Sequence, residues 1–314
     1  MKNQFKLQPS FSLSSITLKR SIIFQEKHKI FVDGRTGLSW FAKSFIGKKC
    51  IAIPALICDV VPEAFMGWNI VYFSAKDYLK IDVSDFECFI GNQVSVVLIP
   101  HYFGVIQDNI EKIKKWCSNN QVLLIEDCAH MPINARIEYK CGFYGDISIF
   151  SLRKFYPYTS AILYINNKNL AFQHAKYYET KLDRAIIPKV KWFVRNILAL
   201  WLNTHSNYRR INEKRVENDK ALIDAFNKKF KITLNYRRIY GSIAFPPQVY
   251  GLQTDNNVLE PYGYYWPRLP KEVEGSSFLM QSIPPKGYFL LPVHQSLPKS
   301  VIDKIIYCVT TEIK

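Results

Sequence analysis

The stretch Val94 to His130, VSVVLIPHYFGVIQDNIEKIKKWCSNNQVLLIEDCAH, decides the fold. Two apolar runs, Val94 to Pro100 and Val122 to Asp127, have the length and β-branched content of buried strands. Between them Gln107 to Asn119 carries Ile110, Ile113, Trp116 and Cys117 at helical spacing. A helix that returns the chain to a second buried strand makes a βαβ unit, the building block of a parallel sheet.

Outward from this unit the same alternation continues. Further strands are predicted at Lys29 to Val32, Cys50 to Pro54, Asn69 to Ser74, Ile147 to Phe150 and Ala161 to Ile165. Residues 1–170 are therefore expected to form a large three-layer α/β domain with a mostly parallel sheet and a short N-terminal arm. After residue 170 the character changes. A basic, largely helical stretch runs to about 230, short strand-like segments follow, and Phe245 to Pro298 is rich in proline. Val301, Ile305, Cys308 and Val309 then share one helical face after Ser296 and Pro298. Residues 171–314 are expected to give linking helices and a smaller C-terminal α/β domain.

Composition narrows the class. The 314 residues are 48% hydrophobic, enough for a sizeable core. The first twenty residues lack the continuous apolar segment of an export signal. The most apolar later stretch, Trp192 to Leu202, is broken by Arg195 and Asn196 and is far shorter than the roughly 20 residues of a bilayer span. A cytoplasmic protein without a membrane span is expected. Seven cysteines show no CxxC pair, so reduced thiols and no metal centre are expected. A net charge of +16 suits an anionic partner, yet no nucleic-acid motif accompanies it, and none is expected as a partner.

Two residues carry the chemistry. Asp127 ends an apolar strand, where α/β proteins place their ligands; read alone, it is equally the cap of the following turn. Lys154 lies just beyond the apolar run Ile147 to Phe150. A partly desolvated lysine has a lowered pKa, and its neutral amine forms imines with aldehydes. Pyridoxal 5′-phosphate (PLP) needs such an amine, and a carboxylate to hold its pyridine nitrogen protonated. Asp33-Gly34-Arg35-Thr36-Gly37-Leu38 reads as a strand, a turn and a helix start, whose amides suit a phosphate; an ordinary turn fits the two glycines as well.

In this order along the chain the residues resemble the DegT/StrS-type sugar aminotransferases, a branch of the fold-type I PLP enzymes. Gly34 to Leu38 resembles that family's phosphate-binding turn. Ile53-Pro54-Ala55-Leu56-Ile57-Cys58 resembles its loop over the cofactor ring, and Pro100-His101-Tyr102-Phe103-Gly104 its His-aromatic-aromatic-Gly segment. Ile125 to His130 is similar to its Glu-Asp-Ala-Ala-His/Gln segment, Gly145 through Lys154 to its serine-and-lysine strand, and Leu291 to Leu297 to its C-terminal signature. The resemblance implies Lys154 as the catalytic Schiff-base lysine and Asp127 on the pyridine nitrogen. It places His130 near the ring hydroxyl, Ser151, Gly34, Arg35 and Thr36 around the phosphate, and Cys58 at the ring. It further implies an amino-acid donor, glutamate, a nucleotide-sugar substrate in surface polysaccharide or related biosynthesis, and a homodimer.

Three features depart from that pattern. Cys58 stands where the family offers a stacking aromatic, Tyr158-Thr159-Ser160-Ala161 replaces a glycine pair, and only three positions separate Ser151 from Lys154. These departures keep open a non-catalytic homologue with a binding or assembly role in the same pathway. A PLP sugar dehydratase of the same family is disfavoured, because those enzymes resemble this chain with histidine at the lysine position. Of the remaining residues, His101, His294 and the aromatic run Tyr262 to Trp266 are read as structural. Arg153 is read as facing solvent and Asn207-Tyr208-Arg209 as helix surface.

Overall fold

The computed structural model describes residues 28–75, 79–87, 94–155, 160–170, 172, 208–230, 242–245, 259–281, 283 and 288–312. The expected helix at Trp192 to Leu202, Asn207, Tyr158 and Thr159 lie outside them. Seven strands build the main sheet: β1 (His28–Phe31), β2 (Cys50–Pro54), β3 (Asn69–Phe73), β4 (Val96–Pro100), β5 (Leu123–Asp127), β6 (Ile147–Ser151) and β7 (Ala161–Ile165), in the order β1-β7-β6-β5-β4-β2-β3. Pairings from β3 through β6 are parallel, while β7 runs antiparallel to both β6 and β1. The sheet is thus α/β and mostly parallel, as the sequence predicts.

Strand alternation explains the layers. On β2 and β4, Cys50, Ala52, Val97 and Ile99 join one buried cluster, whereas Ile51, Ile53, Val96 and Leu98 join another. Successive side chains point to opposite faces, so both faces need a cover. Helix α1 (Gly34–Ser44) covers the second face with Leu38 and Phe41. The first face is covered by α3 (Ile110–Asn119) with Ile110, Ile113 and Cys117. Short helices α2 (Val60–Ala64) and α4 (Ala135–Tyr139) lie in the connections. Helix α3 begins three residues later than its periodicity suggests. The Gln107 side chain instead accepts from the Ile81 N–H and donates to the carbonyls of Leu79 and Pro100, which holds that residue in the loop.

The C-terminal part adds α5 (Tyr208–Phe230), β8 (Ser242–Phe245), β9 (Tyr264–Trp266), α6 (Lys271–Glu274), α7 (Ser277–Met280), β10 (Tyr288–Pro292) and α8 (Lys299–Tyr307). Its three strands form an antiparallel sheet in the order β8-β10-β9. Leu222 and Phe226 of α5, Phe289 and Leu291 of β10, and Ile302 and Ile305 of α8 make its own buried core. Of the apolar face foreseen at this end of the chain, Ile305, Cys308 and Val309 are buried in that core and Val301 packs against it. Among the described residues no helix is long and apolar enough to cross a membrane.

Candidate active site

Register places the site. Pro100 lies opposite Asp127, and Asp127 opposite Ile149, so the carboxyl ends of β4, β5 and β6 come together at one edge. Ile125 and Ile149 belong to the α1 side of the sheet. Two residues further on, alternation brings Asp127 and Ser151 to that same side. There a cavity of about 200 Å³ opens, bordered by the start of α1, by the Ile57-Cys58 loop and by Lys154.

Adjacent acids at the end of β5 face opposite ways. Glu126 is fully buried on the far side, where its carboxylate accepts from His101 Nε2 at 2.9 Å and the Gly142 N–H at 3.0 Å, and also from the Gly145 N–H. The Gln107 N–H donates to His101 Nδ1 at 3.1 Å. A backbone amide can only donate, so the imidazole proton sits on Nε2 and points at Glu126. Gly145 is required here, since a Cβ would lie 2.5 Å from the Ile147 carbonyl oxygen and 3.0 Å from the Glu126 nitrogen. His101 thus has the structural role read from the sequence, although the residue is also among those bordering the cavity.

Asp127 is 8% exposed and lines the cavity. Its Oδ1 accepts the Ala129 N–H at 2.9 Å, so it does cap the following turn. Burial pushes its carboxyl above the usual range, with the Ala129 amide, His101 and Lys154 acting the other way. His130 accepts the Phe103 N–H on Nδ1 at 3.2 Å, which leaves Nε2 as the donor nitrogen. Burial holds its pKa well below the ordinary value, and Lys154 and Arg153 add to this. The ring stacks on Phe103, centroids 5.5 Å apart.

Lys154 ends the short turn Leu152–Lys154 that follows β6, partly buried in the cavity wall. Desolvation lowers its pKa; Tyr264, Cys58 and Asp127 pull it back up, and Arg153 lowers it further. The Cys58 thiol also borders the cavity, and burial raises its pKa, which keeps it protonated.

At the start of α1, Asp33 Oδ1 accepts the Thr36 N–H at 2.8 Å and its hydroxyl at 2.7 Å. Gly34, Arg35 and Asp33 line the cavity, while Thr36 is turned to this capping bond and is not in the lining. The Gly34 and Arg35 amides, at the positive end of the helix, have no protein acceptor among the described residues. Gly37 is more than a turn residue. A Cβ there would stand 2.6 Å from Ile149 Cδ1, so its absence lets the helix start settle onto the sheet.

The cavity therefore unites Lys154, Asp127, His130, Ser151, Gly34, Arg35 and Cys58, with Thr36 outside. It also takes in Arg153 and Trp266, read otherwise from the sequence, and Tyr102, for which the sequence reading gave no separate role. Tyr102 is fixed by its hydroxyl, which donates to the Leu56 carbonyl at 2.7 Å. Behind the wall, His101, Cys128 and Cys141 bring ligand atoms within 4.8 Å of one another. Both imidazole nitrogens are already committed, so a metal there would have to displace the bond to Glu126 or the one to Gln107.

Residues 66–161, from the approach to β3 to the start of β7, match the model of the DegT/DnrJ/EryC1/StrS aminotransferase family. Among solved structures, the chain is similar to Helicobacter pylori PseC, an aminotransferase involved in the biosynthesis of pseudoaminic acid. The TM-score is 0.63 and the identity 15%, over 93% of this chain and 88% of that one. It is likewise similar to NtdA from Bacillus subtilis with bound cofactor PMP (TM-score 0.63, 13% identity, 92% and 74% covered). DesI in the presence of its TDP-sugar product gives a TM-score of 0.65 at 15% identity, over 91% and 81%. A search of curated proteins finds no match. At these identities the likeness is one of fold, which the chain shares with these aminotransferase structures.

Proposed function

We propose that the chain is a PLP-dependent aminotransferase that moves an amino group from glutamate to a nucleotide-linked keto-sugar. The observation that carries this reading is the pair of oppositely shifted groups in one cavity: the Lys154 amine, lowered by burial, and the Asp127 carboxyl, raised by it. The donor set fits the cofactor. A lysine amine suits its aldehyde, a buried carboxylate its ring nitrogen, and the His130 Nε2 proton its ring hydroxyl. The Gly34 and Arg35 amides suit its phosphate, with the Ser151 hydroxyl and Arg153.

When bound, PLP supplies an electron-poor ring that weakens the bonds to the donor's α-carbon. Lys154, with its lowered pKa, removes and returns the proton there as general base and acid. Asp127 keeps a proton on the ring nitrogen. His130, held neutral, donates without adding charge. Arg153 brings positive charge to the mouth of the cavity, where it attracts anionic substrates, while the Arg35 guanidinium is paired with Glu63 at 3.1 Å. This reading includes a cytoplasmic homodimer, with residues 1–170 as the cofactor-binding domain and 171–314 as the linking and small domain. The TDP-sugar product of the similar DesI structure supports a nucleotide-sugar substrate.

Cys58, present where the resembling family stacks an aromatic on the ring, favours a second reading, a non-catalytic homologue that binds in the same pathway. The two separate cleanly. Protein loaded with PLP and mixed with glutamate, without acceptor, should release one equivalent of 2-oxoglutarate per site. Cofactor binding without release of any 2-oxo acid, across a panel of amino-acid donors, would leave the binding homologue as the account.

A further inference from the structure

Strand β9 reaches the cavity from the small sheet. It pairs antiparallel with β10, Tyr264 opposite Leu290, Tyr265 opposite Phe289 and Trp266 opposite Tyr288. Alternation separates the three aromatics. Tyr265 turns into the small core, where its ring meets Phe289 at 5.1 Å. Tyr264 and Trp266 point the other way, and Leu290, cross-strand from Tyr264, packs into the core of the main sheet. Trp266 touches the rings of Phe103 at 5.0 Å and His130 at 5.3 Å, and it lines the cavity with Lys154 and Asp127. Tyr264, 36% exposed, shares this face of β9 with Trp266 but is not itself in the lining of the cavity.

This wall is clipped in place. Arg268 Nε pairs with Asp59 Oδ2 at 3.1 Å, and the Asp59 N–H donates to the Arg268 carbonyl at 2.9 Å. The clip joins the β9 segment to the loop that carries Cys58.

We propose that Trp266, with Tyr264 beside it on the same face of β9, forms the acceptor-facing wall of the site, and that Trp266 packs on the ring of the sugar. This rests on the aminotransferase reading. An aromatic face suits the C–H face of a pyranose and offers nothing specific to the carboxylates of glutamate. The sugar, not the nucleobase, belongs there, because the carbon that receives the amine must sit at Lys154 while the base hangs beyond the diphosphate. Trp266 is therefore a specificity-determining residue.

The test uses the full chain loaded with PLP and follows binding by calorimetry. Wild type, Trp266→Ala and Trp266→Phe are titrated with dTDP-glucose, UDP-glucose and GDP-glucose, and with each nucleoside diphosphate alone. In wild type at least one sugar nucleotide should bind more tightly than its diphosphate. The alanine variant should lose about tenfold in affinity for that sugar nucleotide, the scale of one aromatic stacking contact, and little for the diphosphate. Phenylalanine should restore part of the loss, which also covers the case of a poorly folded alanine variant. Equal binding of sugar nucleotide and diphosphate by wild type, or sugar affinity unchanged in both Trp266 variants, overturns the assignment. The cofactor absorbance band is read in the same samples. If it is present and the sugar increment is not, only the wall falls; if wild type shows no band, the aminotransferase reading falls with it.

Discussion

The carboxyl edge of the seven-stranded sheet and strand β9 of the three-stranded sheet border the same cavity by different means. The edge brings polar groups to the ends of buried strands: Asp127 at the end of β5, Ser151 at the end of β6 and Lys154 just past it. Strand β9 brings aromatics at alternate positions. A charged residue that ends an apolar strand announces itself, because burial of its charge needs a reason. An aromatic in a strand does not, since packing explains it equally well until its neighbours are known.

Within the edge the contrast sharpens to one residue. Glu126 and Asp127 are neighbours, yet alternation gives the first three hydrogen-bond donors in the core and the second an open cavity. Glu126→Ala should therefore act on stability, costing roughly 3–5 kcal/mol because it strands buried donors. Chemical denaturation measures this, and a loss under 1 kcal/mol would mean that the network is not what positions β5.

Asp127→Asn should do the reverse. Transfer activity should fall by about a hundredfold or more, as for loss of one preorganised charged contact. The cofactor-free protein should meanwhile become more stable at neutral pH, because the amide oxygen keeps the Ala129 bond and no charge is buried. The sign follows from the raised pKa: the wild type loses the stability of a protonated Asp127 as pH rises through the folded-state value. The melting-temperature advantage of the variant should grow with pH. A less stable variant at neutral pH would make Asp127 a structural cap first.

The smallest effect lies in the C-terminal part. His294 is buried, and burial together with Arg215 holds its pKa at about 4. A depressed histidine contributes stability above its unfolded value near 6.5, and that contribution is lost as pH falls toward 4. Wild type should lose about 2 kcal/mol from this residue between pH 7 and 5. In His294→Gln that part of the loss should vanish; identical pH profiles would show that His294 is not the group that titrates.

Much of this was legible in the sequence. The strands at Cys50 to Pro54 and Ala161 to Ile165 are found with the predicted bounds, because apolar runs buried on both faces leave no other reading. Lys154, Asp127, His130, Ser151, Gly34, Arg35 and Cys58 do share one cavity. Thr36 could not be placed from the motif, since its hydroxyl was as free to cap Asp33 as to face a ligand. Trp266 and Tyr264 were hidden for a different reason. Their period-2 spacing was visible, but which face of β9 meets the main sheet depends on the pairing with β10 and on Leu290, far along the chain.

The most direct test of the central claim is borohydride reduction of the PLP-treated protein, followed by peptide mass spectrometry, on wild type and Lys154→Ala. The account predicts a yellow absorbance band and a reduced pyridoxyl group on Lys154 in wild type, and neither in the variant. An unmodified Lys154 at saturating PLP, or a band that survives Lys154→Ala, would contradict it.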